Sequence, residues 1–573
     1  MSIHTADAIK NKVMASKEGL TVTAYRGDNN VLLAFNLKES LIKNLAGFAI
    51  KLRLPNGKSY WLKNRLSFEK PLQANTSPQE RLALWTESNL APFQRFHWQH
   101  FPDEIMRGTY TYSITPMYFN RKGGLIEGVT ADIAIDYLPK DCFDNLEIGF
   151  TRSYVSSQAY HDLFQNRLIR PLPKTLDYNT TSYQQQYEWL GATAREVVFA
   201  FLNEALEDPA ITIDALIYDI DEVHFVEKLE KLGSRIRVFF DDSKEHVKEG
   251  ALEAIVHQRI QKSAGQSNVK KGHFKRFQHN KVLIQKKNNK PIRVLTGSMN
   301  FSVRGFYVQA NNVLAFDDTH VASLYEQVFQ QIWDDENNFS KSEIASKWFS
   351  INQAQLPAIE FCFSPHKSGS ISLNKIQEAL KKAKSSVFFS VMDLQGGGGV
   401  LQSLKSMAVE RKDLFSYGVT QNLGKDQERQ EGVAIYGPGR LNGVLVPFGY
   451  LHGQVRPPFN EEVSGGFGQV IHNKFIVIDF NHSHPIVFTG SSNIAEGGEM
   501  ANGDNLIAIS DPVVAILYAV EACRLVDHFR FRAALYKSTS TEPLVLKPDA
   551  RWCEPYYDPS QLYYKQRLLF SRE

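Results

Sequence analysis

Hydrophobic and polar residues alternate with a period of two through the first quarter of the chain. The runs Thr21–Tyr25, Val31–Phe35, Ala49–Leu54 and Tyr110–Thr115 carry this pattern, separated by turns such as Pro55-Asn56-Gly57 and Gly123-Gly124. A period of two puts one face of each strand against a core and the other in water, so residues 1–145 read as a small antiparallel β-sandwich. Beyond Leu146–Phe150 the pattern changes. Ile211–Tyr218 and Ile236–Phe240 are continuous apolar runs of buried-strand type, while Glu196–Phe201 and Phe225–Leu232 have helical spacing. The order then repeats, with a helix over Ile376–Lys384 and strands at Val387–Val391 and Phe415–Val419.

Strands alternating with helices imply mainly parallel or mixed sheets covered on both faces. The predicted fold is therefore α/β: two pseudo-symmetric lobes with mixed sheets flanked by helices, over residues 146–350 and 351–573, preceded by the all-β sandwich. The polar stretch 345–357, ending at Pro357, is the expected joint between the lobes.

Composition narrows the function classes. A chain of 573 residues with 43% hydrophobic and 22% charged residues is an ordinary globular protein, and a net charge of +3 creates no global field for nucleic acid or membrane. Any electrostatic attraction must be local. The opening Met1-Ser2-Ile3-His4-Thr5-Ala6-Asp7 is polar and has no apolar h-region, and no run approaches the roughly 20 apolar residues of a membrane span. Cys142, Cys362, Cys523 and Cys553 are scattered without paired spacing and read as free thiols. These features point to a cytoplasmic location, with signal-independent secretion left open.

The chemistry lies in a repeat. His279-Asn280-Lys281 recurs as His472-Asn473-Lys474, 193 positions later, and each copy continues with an apolar run. Seventeen residues after each histidine begins Thr-Gly-Ser-x-Asn, at Thr296–Asn300 and Thr489–Asn493. The two 22-residue windows share nine identities, and Asn312 and Asn505 match again further on, at equal offsets from their histidines. Histidine and lysine at i and i+2 share one face of a strand. Two such strands related by a pseudo-two-fold axis would surround one point with two imidazoles, two ammonium groups and two Gly-led turns rich in donors. That is a socket for a phosphate. No carboxylate cluster or Cys/His spacing accompanies it, so neither a metal nor a cofactor is expected.

The two windows resemble the duplicated His-x-Lys motifs of the phospholipase D superfamily, over roughly residues 180–535. The resemblance implies a two-lobed enzyme that cleaves or exchanges phosphodiesters through a covalent phosphohistidine without metal. The family places an Asp five residues after each motif lysine. The second copy has Asp479 there and the first has Lys286, a departure expected to damage local hydrogen bonding without abolishing activity. The family also has an acidic residue that holds the histidine of the opposite lobe. The corresponding positions, each equally far beyond its own histidine, are Asn311 and Asp504. Crossed pairing would give Asp504 to His279 and Asn311 to His472. A weaker resemblance, carried by Gly108–Tyr112, links the first domain to fibronectin type III or immunoglobulin-like modules, which serve for docking or dimerisation with a protein partner.

A carboxylate on Nδ1 leaves Nε2 bare and offsets the charge of a ring bonded to phosphorus, so His279 is the expected nucleophile. His472 becomes the general acid and later the base. Because a free imidazole titrates near ~6.5, one neutral and one protonated ring should coexist at physiological pH. Lys281 and Lys474 are assigned to the catalytic site with Asp504. Ser298, Asn300, Ser491, Asn493 and Asn311 are assigned to substrate binding. Lys275 and Arg276, in the basic run Lys270–Phe277 with its two phenylalanines, could track a polyanion backbone and stack a base. Gly396–Gly399 reads as a connection, the Gly/Pro-rich segment 437–468 with Arg440 and Arg456 as an overhang on the site, and His366 as a weaker candidate. The substrate leans to nucleic acid, with phospholipid as the alternative and a catalytically inactive phosphate- or partner-binding module as the third reading.

Overall fold

The computed structural model describes residues 11–571 apart from 74–75, 77–79, 81–82, 103–105, 138–142, 144, 154–159, 161–163, 165–166, 172, 245, 249, 395–396, 423–431, 437–443 and 448–469. Cys142, Gly396, Arg440, Arg456 and most of the 437–468 segment lie outside the described residues.

The alternating runs near the start form two antiparallel sheets. One joins β1 (Lys12–Lys17), β2 (Leu20–Arg26), β3 (Val31–Leu37) and β6 (His97–His100). The other is built on β4 (Leu45–Arg53), with β5 (Ser59–Trp61) at one side and β7 (Gly108–Phe119) at the other; β8 (Leu125–Glu127) and β9 (Ala131–Tyr137) both pair with β7. Alternation in β9 is complete, with Ala131, Ile133, Ile135 and Tyr137 buried and the residues between them exposed. The two sheets share one core that includes Leu33, Phe35, Phe48, Ile50, Tyr110 and Ile133.

Two larger mixed sheets follow. In the first, strand order is β10 (Leu146–Phe150), β16 (Asn312–Phe316), β15 (Lys290–Gly297), β14 (Val282–Lys287), β11 (Ile211–Ile217), β12 (Ile236–Asp241) and β13 (Val269–Gly272). The second runs β17 (Phe349–Ile351), β18 (Ala358–Ser364), β25 (Asp504–Ser510), β24 (Ile486–Gly490), β23 (Phe475–Ile478), β19 (Ser386–Asp393), β20 (Phe415–Asn422), β21 (Gly432–Tyr436) and β22 (Val444–Pro447). Six strands of the first sheet, β10 to β12, correspond in order to β18 to β20 of the second. The parallel pairs are β11–β12 and β12–β13 in one sheet and β19–β20 in the other, so both sheets are more antiparallel than the strand–helix alternation implied. The reason is local. After each motif the chain turns straight back, in the first copy through Asn288 and Asn289, which both take positive φ (51° and 61°) and close a two-residue hairpin between β14 and β15.

Helices α1 (Gln184–Glu207), α2 (Val223–Leu232), α3 (Leu252–Ala264) and α4 (Thr319–Asp335) belong to the first lobe, and α5 (Ser370–Lys382) and α6 (Gly399–Glu410) to the second. Helix α7 (Pro512–Lys537) is buried along most of its length: residues 512–520 are apolar all round, and the buried Glu521 and Arg524 pair with each other (2.6 Å). Asp511 caps its first turn, accepting from the N–H groups of Val513 (2.7 Å) and Val514 (3.0 Å) ahead of Pro512.

The last segment, counted from the sequence with the second lobe, packs on the sandwich instead. Cys553 and Tyr556 complete the sandwich core, Trp552 Nε1 donates to the Leu45 carbonyl (2.9 Å), and Tyr557 donates to that of Leu37 (2.6 Å). Cys362, Cys523 and Cys553 are buried free thiols. Among the described residues no helix is long and apolar enough to cross a membrane.

Candidate active site

Each motif histidine sits just before the first strand of its hairpin, and each of those segments crosses to the other lobe. The His279 N–H donates to the Gly503 carbonyl (2.9 Å) and the Gly503 N–H to that of Phe277 (2.8 Å). In the mirror position Ala310 N–H donates to Val470 (3.0 Å) and His472 N–H to Ala310 (3.2 Å). These two short parallel bridges bring the residue ahead of β25 to His279 and the residue ahead of β16 to His472.

The side chains complete the crossing. His279 Nδ1 lies 2.7 Å from Asp504 Oδ1, and His472 Nδ1 lies 2.8 Å from Asn311 Oδ1. With an acceptor on Nδ1, each ring carries its proton there and leaves Nε2 bare. Ser491 Oγ donates to Asp504 Oδ1 (2.7 Å) and Ser298 Oγ to Asn311 Oδ1 (2.9 Å). The two hydroxyls therefore serve the groups behind the imidazoles, and their protons are not turned to a substrate. Asn311 is likewise spent on positioning, since its Nδ2 donates to the Gly305 carbonyl (2.9 Å). The glycines of the Gly-Ser turns are required by close approach. Gly297 and Gly490 have φ of 145° and 132°, and a Cβ at either would stand 2.4 Å from the carbonyl oxygen of Asn312 or Asn505. Those two asparagines link the lobes, Asn312 donating to Thr489 (2.9 Å) and Asn505 to Thr296 (3.0 Å).

Each lysine returns to its own motif, Lys474 Nζ donating to the His472 carbonyl (2.7 Å) and Lys281 Nζ to that of His279. Four basic groups thus share one buried place. Burial, reinforced by the ammonium charge of Lys281 against the opposing pull of Asp504, pushes His279 down to about 4. Burial brings Lys281 down to about 7. Burial and the lysines hold His472 well below the usual imidazole range, and burial does the same to Lys474 among amines. Asp504 stays below the ordinary carboxylate range: burial alone would raise it, but His279 and Lys281 outweigh burial. Both rings are therefore neutral in the free protein at physiological pH, not one neutral and one protonated as the isolated values imply. Four basic groups gathered around a single carboxylate favour an anion, and a phosphodiester is one.

Among the described residues the buried Oδ1 atoms of Asn300 and Asn493 have no hydrogen-bond partner, while Asn300 Nδ2 donates to Asp219 (3.3 Å). Lys275 and Arg276 are exposed where β13 leads into the first motif. The two phenylalanines of that run do not stack a base: Phe274 is buried against Phe339, and Phe277 is half-buried against Tyr218. Lys286 repairs rather than damages its surroundings, pairing with Asp214 (2.5 Å), which also takes a bidentate Arg237. Asp479 caps the entry to β19, accepting from the N–H groups of Lys384, Ser385 and Ser386. His366 stays structural, bonded to the Ala345 carbonyl (2.6 Å) and close to Cys362 and Glu499.

Several neighbours escaped the sequence reading. Tyr218 packs edge-on against His279 with centroids 4.7 Å apart, and Lys281 Nζ stands 4.7 Å from its ring centre. Thr151 accepts from the Asn311 N–H (3.0 Å). A carboxylate cluster, which no spacing along the chain announces, does exist beside the site: Asp219, Glu253 and His246 converge within 4.8 Å. Burial and the charge of Asp219 raise Glu253 to about 8. The only signal available was Asp219 itself, just past a buried strand.

Residues 200–333 match the family model described as "Cardiolipin synthase, PLD-like domain", which takes in the window from His279 to Asn300. Among solved structures the chain is similar to the polyphosphate kinase of Porphyromonas gingivalis, at 13% identity and TM-score 0.33 over 63% of this chain. It spans only 52% of that kinase. It is also similar to Nuc, a phospholipase D family member from Salmonella typhimurium, at 19% identity and TM-score 0.20, over 24% of this chain and 86% of that one. The phosphatidylserine synthase of Haemophilus influenzae Rd KW20 is similar at 13% identity and TM-score 0.34, over 64% and 89% of the two chains. No curated protein matches.

Proposed function

We propose that this chain, which carries a phospholipase D-like domain over residues 200–333, is a phosphodiesterase that works through a phosphohistidine and needs no metal for its chemistry. The observation that carries this reading is the crossed pair of buried imidazoles, each held at Nδ1 by the opposite lobe.

His279 Nε2 attacks phosphorus and forms the N–P bond as the bond to the leaving oxygen breaks. His472, protonated when the anionic substrate enters, gives that oxygen its proton. The carboxylate of Asp504 offsets the positive charge of the phosphorylated ring, a service the neutral carboxamide of Asn311 cannot perform. A water then attacks phosphorus, His472 takes its proton, and His279 leaves unchanged. Lys281 and Lys474 hold the non-bridging oxygens, and Asn300 and Asn493 join them once their amides turn inward.

For substrate we favour nucleic acid, because exposed Lys275 and Arg276 flank His279 and can follow a phosphate backbone. Phospholipid is the second reading, favoured by the exposed apolar Val247 and Ile255, which flank His246 and Glu253. In EDTA, labelled DNA or RNA should be cut while phosphatidylcholine vesicles release neither choline nor phosphatidic acid. Head-group release without strand scission would transfer the assignment to lipid, and no turnover of either would leave a binding module.

A further inference from the structure

We propose that Asp219, Glu253 and His246 form a binding site for a divalent metal ion of the manganese-to-zinc series, adjacent to the phosphodiester site and outside its reaction path. Three elements of the first lobe build it. Asp219 lies two residues past β11, His246 in the loop after β12, and Glu253 in the first turn of α3. Their ligand atoms fall within 4.8 Å of one another. Ligands about 2.1 Å from an ion stand at most ~4.2 Å apart, so closure asks for well under an ångström of movement from each.

The arrangement behind these groups is what a metal site requires and a solvated acidic patch does not. His246 is 8% exposed, and its Nδ1 is held 2.9 Å from Asp241 Oδ2. A carboxylate on the far nitrogen fixes the ring and leaves Nε2 as the donor for an ion. Asp219 is held as well, its Oδ2 accepting from Ser302 Oγ (2.9 Å) and Asn300 Nδ2 (3.3 Å). Asn300, 5% exposed, donates through Nδ2 to Asp219, and among the described residues its own Oδ1 has no hydrogen-bond partner. Among the described residues neither Asp219 nor Glu253 forms an ion pair with a lysine or arginine. One imidazole and two carboxylate oxygens suit Mn²⁺ or Zn²⁺ better than Ca²⁺ or Mg²⁺, which take all-oxygen shells.

The site is separated from the nucleophile by one ring: Tyr218 lies 4.7 Å, centroid to centroid, from both His246 and His279. An ion there would fix Asp219 and His246, and with His246 the ring of Tyr218, without touching phosphorus. The test is equilibrium dialysis of the full chain against Mn²⁺ and, separately, Zn²⁺, with electron paramagnetic resonance of the Mn²⁺ sample. One ion per chain is expected in the unaltered protein. Glu253→Gln and His246→Gln should each reduce occupancy to background, and Asp241→Asn should weaken affinity by about 10–100-fold. Neither ion binding the unaltered protein, a result no folding defect can produce, would overturn the site, as would full occupancy in both variants. Turnover that survives EDTA fits an ion outside the reaction path, whereas turnover lost in EDTA and restored by Mn²⁺ would overturn that placement.

Discussion

Asp504 accepts a hydrogen bond from Nδ1 of His279 at 2.7 Å, joining residues 225 positions apart and belonging to different lobes. Opposite His472 the same place holds a carboxamide. A carboxylate can stabilise a cationic phosphorylated imidazole and a carboxamide cannot, so the two rings are not interchangeable. Asp504→Asn should lower kcat by about 10²–10⁴-fold with KM little changed. Label trapped by quenching in alkaline denaturant should appear on His279 and accumulate in His472→Ala; label on His472 would reverse the roles.

The depressed basic groups give a pH signature. His472 must be protonated to act as an acid, yet burial and the lysines keep it neutral in the free protein. The proton therefore enters with the substrate, and kcat/KM should fall as pH rises through the neutral range. Asn311→Asp, by placing a charge on His472 Nδ1, should move that decline to higher pH.

Stability should follow the opposite course. His279 titrates near 4 when folded and near ~6.5 when unfolded, so between those values the unfolded chain binds a proton that the folded one refuses. The stabilising contribution is complete above ~6.5 and is lost as pH falls towards 4, by about 3 kcal/mol. Urea midpoints at pH 7.5 and 4.5 should show this loss, inorganic phosphate should narrow it, and His279→Gln should shrink it.

Thr151 couples the sandwich to the second imidazole. Asp28, in the turn between β2 and β3, accepts from Phe150 N–H (2.9 Å), and Thr151 Oγ1 accepts from Asn311 N–H (3.0 Å) while donating to the Gln309 carbonyl (2.8 Å). Thr151→Val leaves a buried N–H unpaired and loosens the group that holds His472, so kcat should drop by about tenfold with substrate affinity retained.

What could be seen in the sequence was whatever repeats or alternates. The period-two runs mark β2, β3, β4 and β7, and the paired windows place both histidines, both lysines and both Gly-Ser turns. Crossing between lobes was legible only through the resemblance to the phospholipase D superfamily, carried over to Asn311 and Asp504 by their equal offsets from the histidines. The roles of Ser298 and Ser491 were not, because a serine beside a phosphate socket and one behind it look alike in one dimension. Asp219, His246 and Glu253 come from three separate connections with no spacing in common, so only the fold joins them. The same holds for Tyr556, whose aromatic ring gives no hint that it belongs near the opposite end of the chain, against Phe96 (centroids 4.8 Å apart).

That contact is open to measurement. Tyr556 is 5% exposed in the sandwich core, so Tyr556→Ala should cost about 3–5 kcal/mol and lower the melting temperature of the sandwich with the rest of the molecule.

Because Cys553, Tyr556 and Trp552 close the first domain from beyond both lobes, that domain cannot reach its final packing until they have been made. Its strands emerge early but wait, with an open apolar flank, until both lobes have been made. Domains usually complete themselves in order of translation. Here the strands made first wait for residues 552–556, which follow both lobes in the sequence.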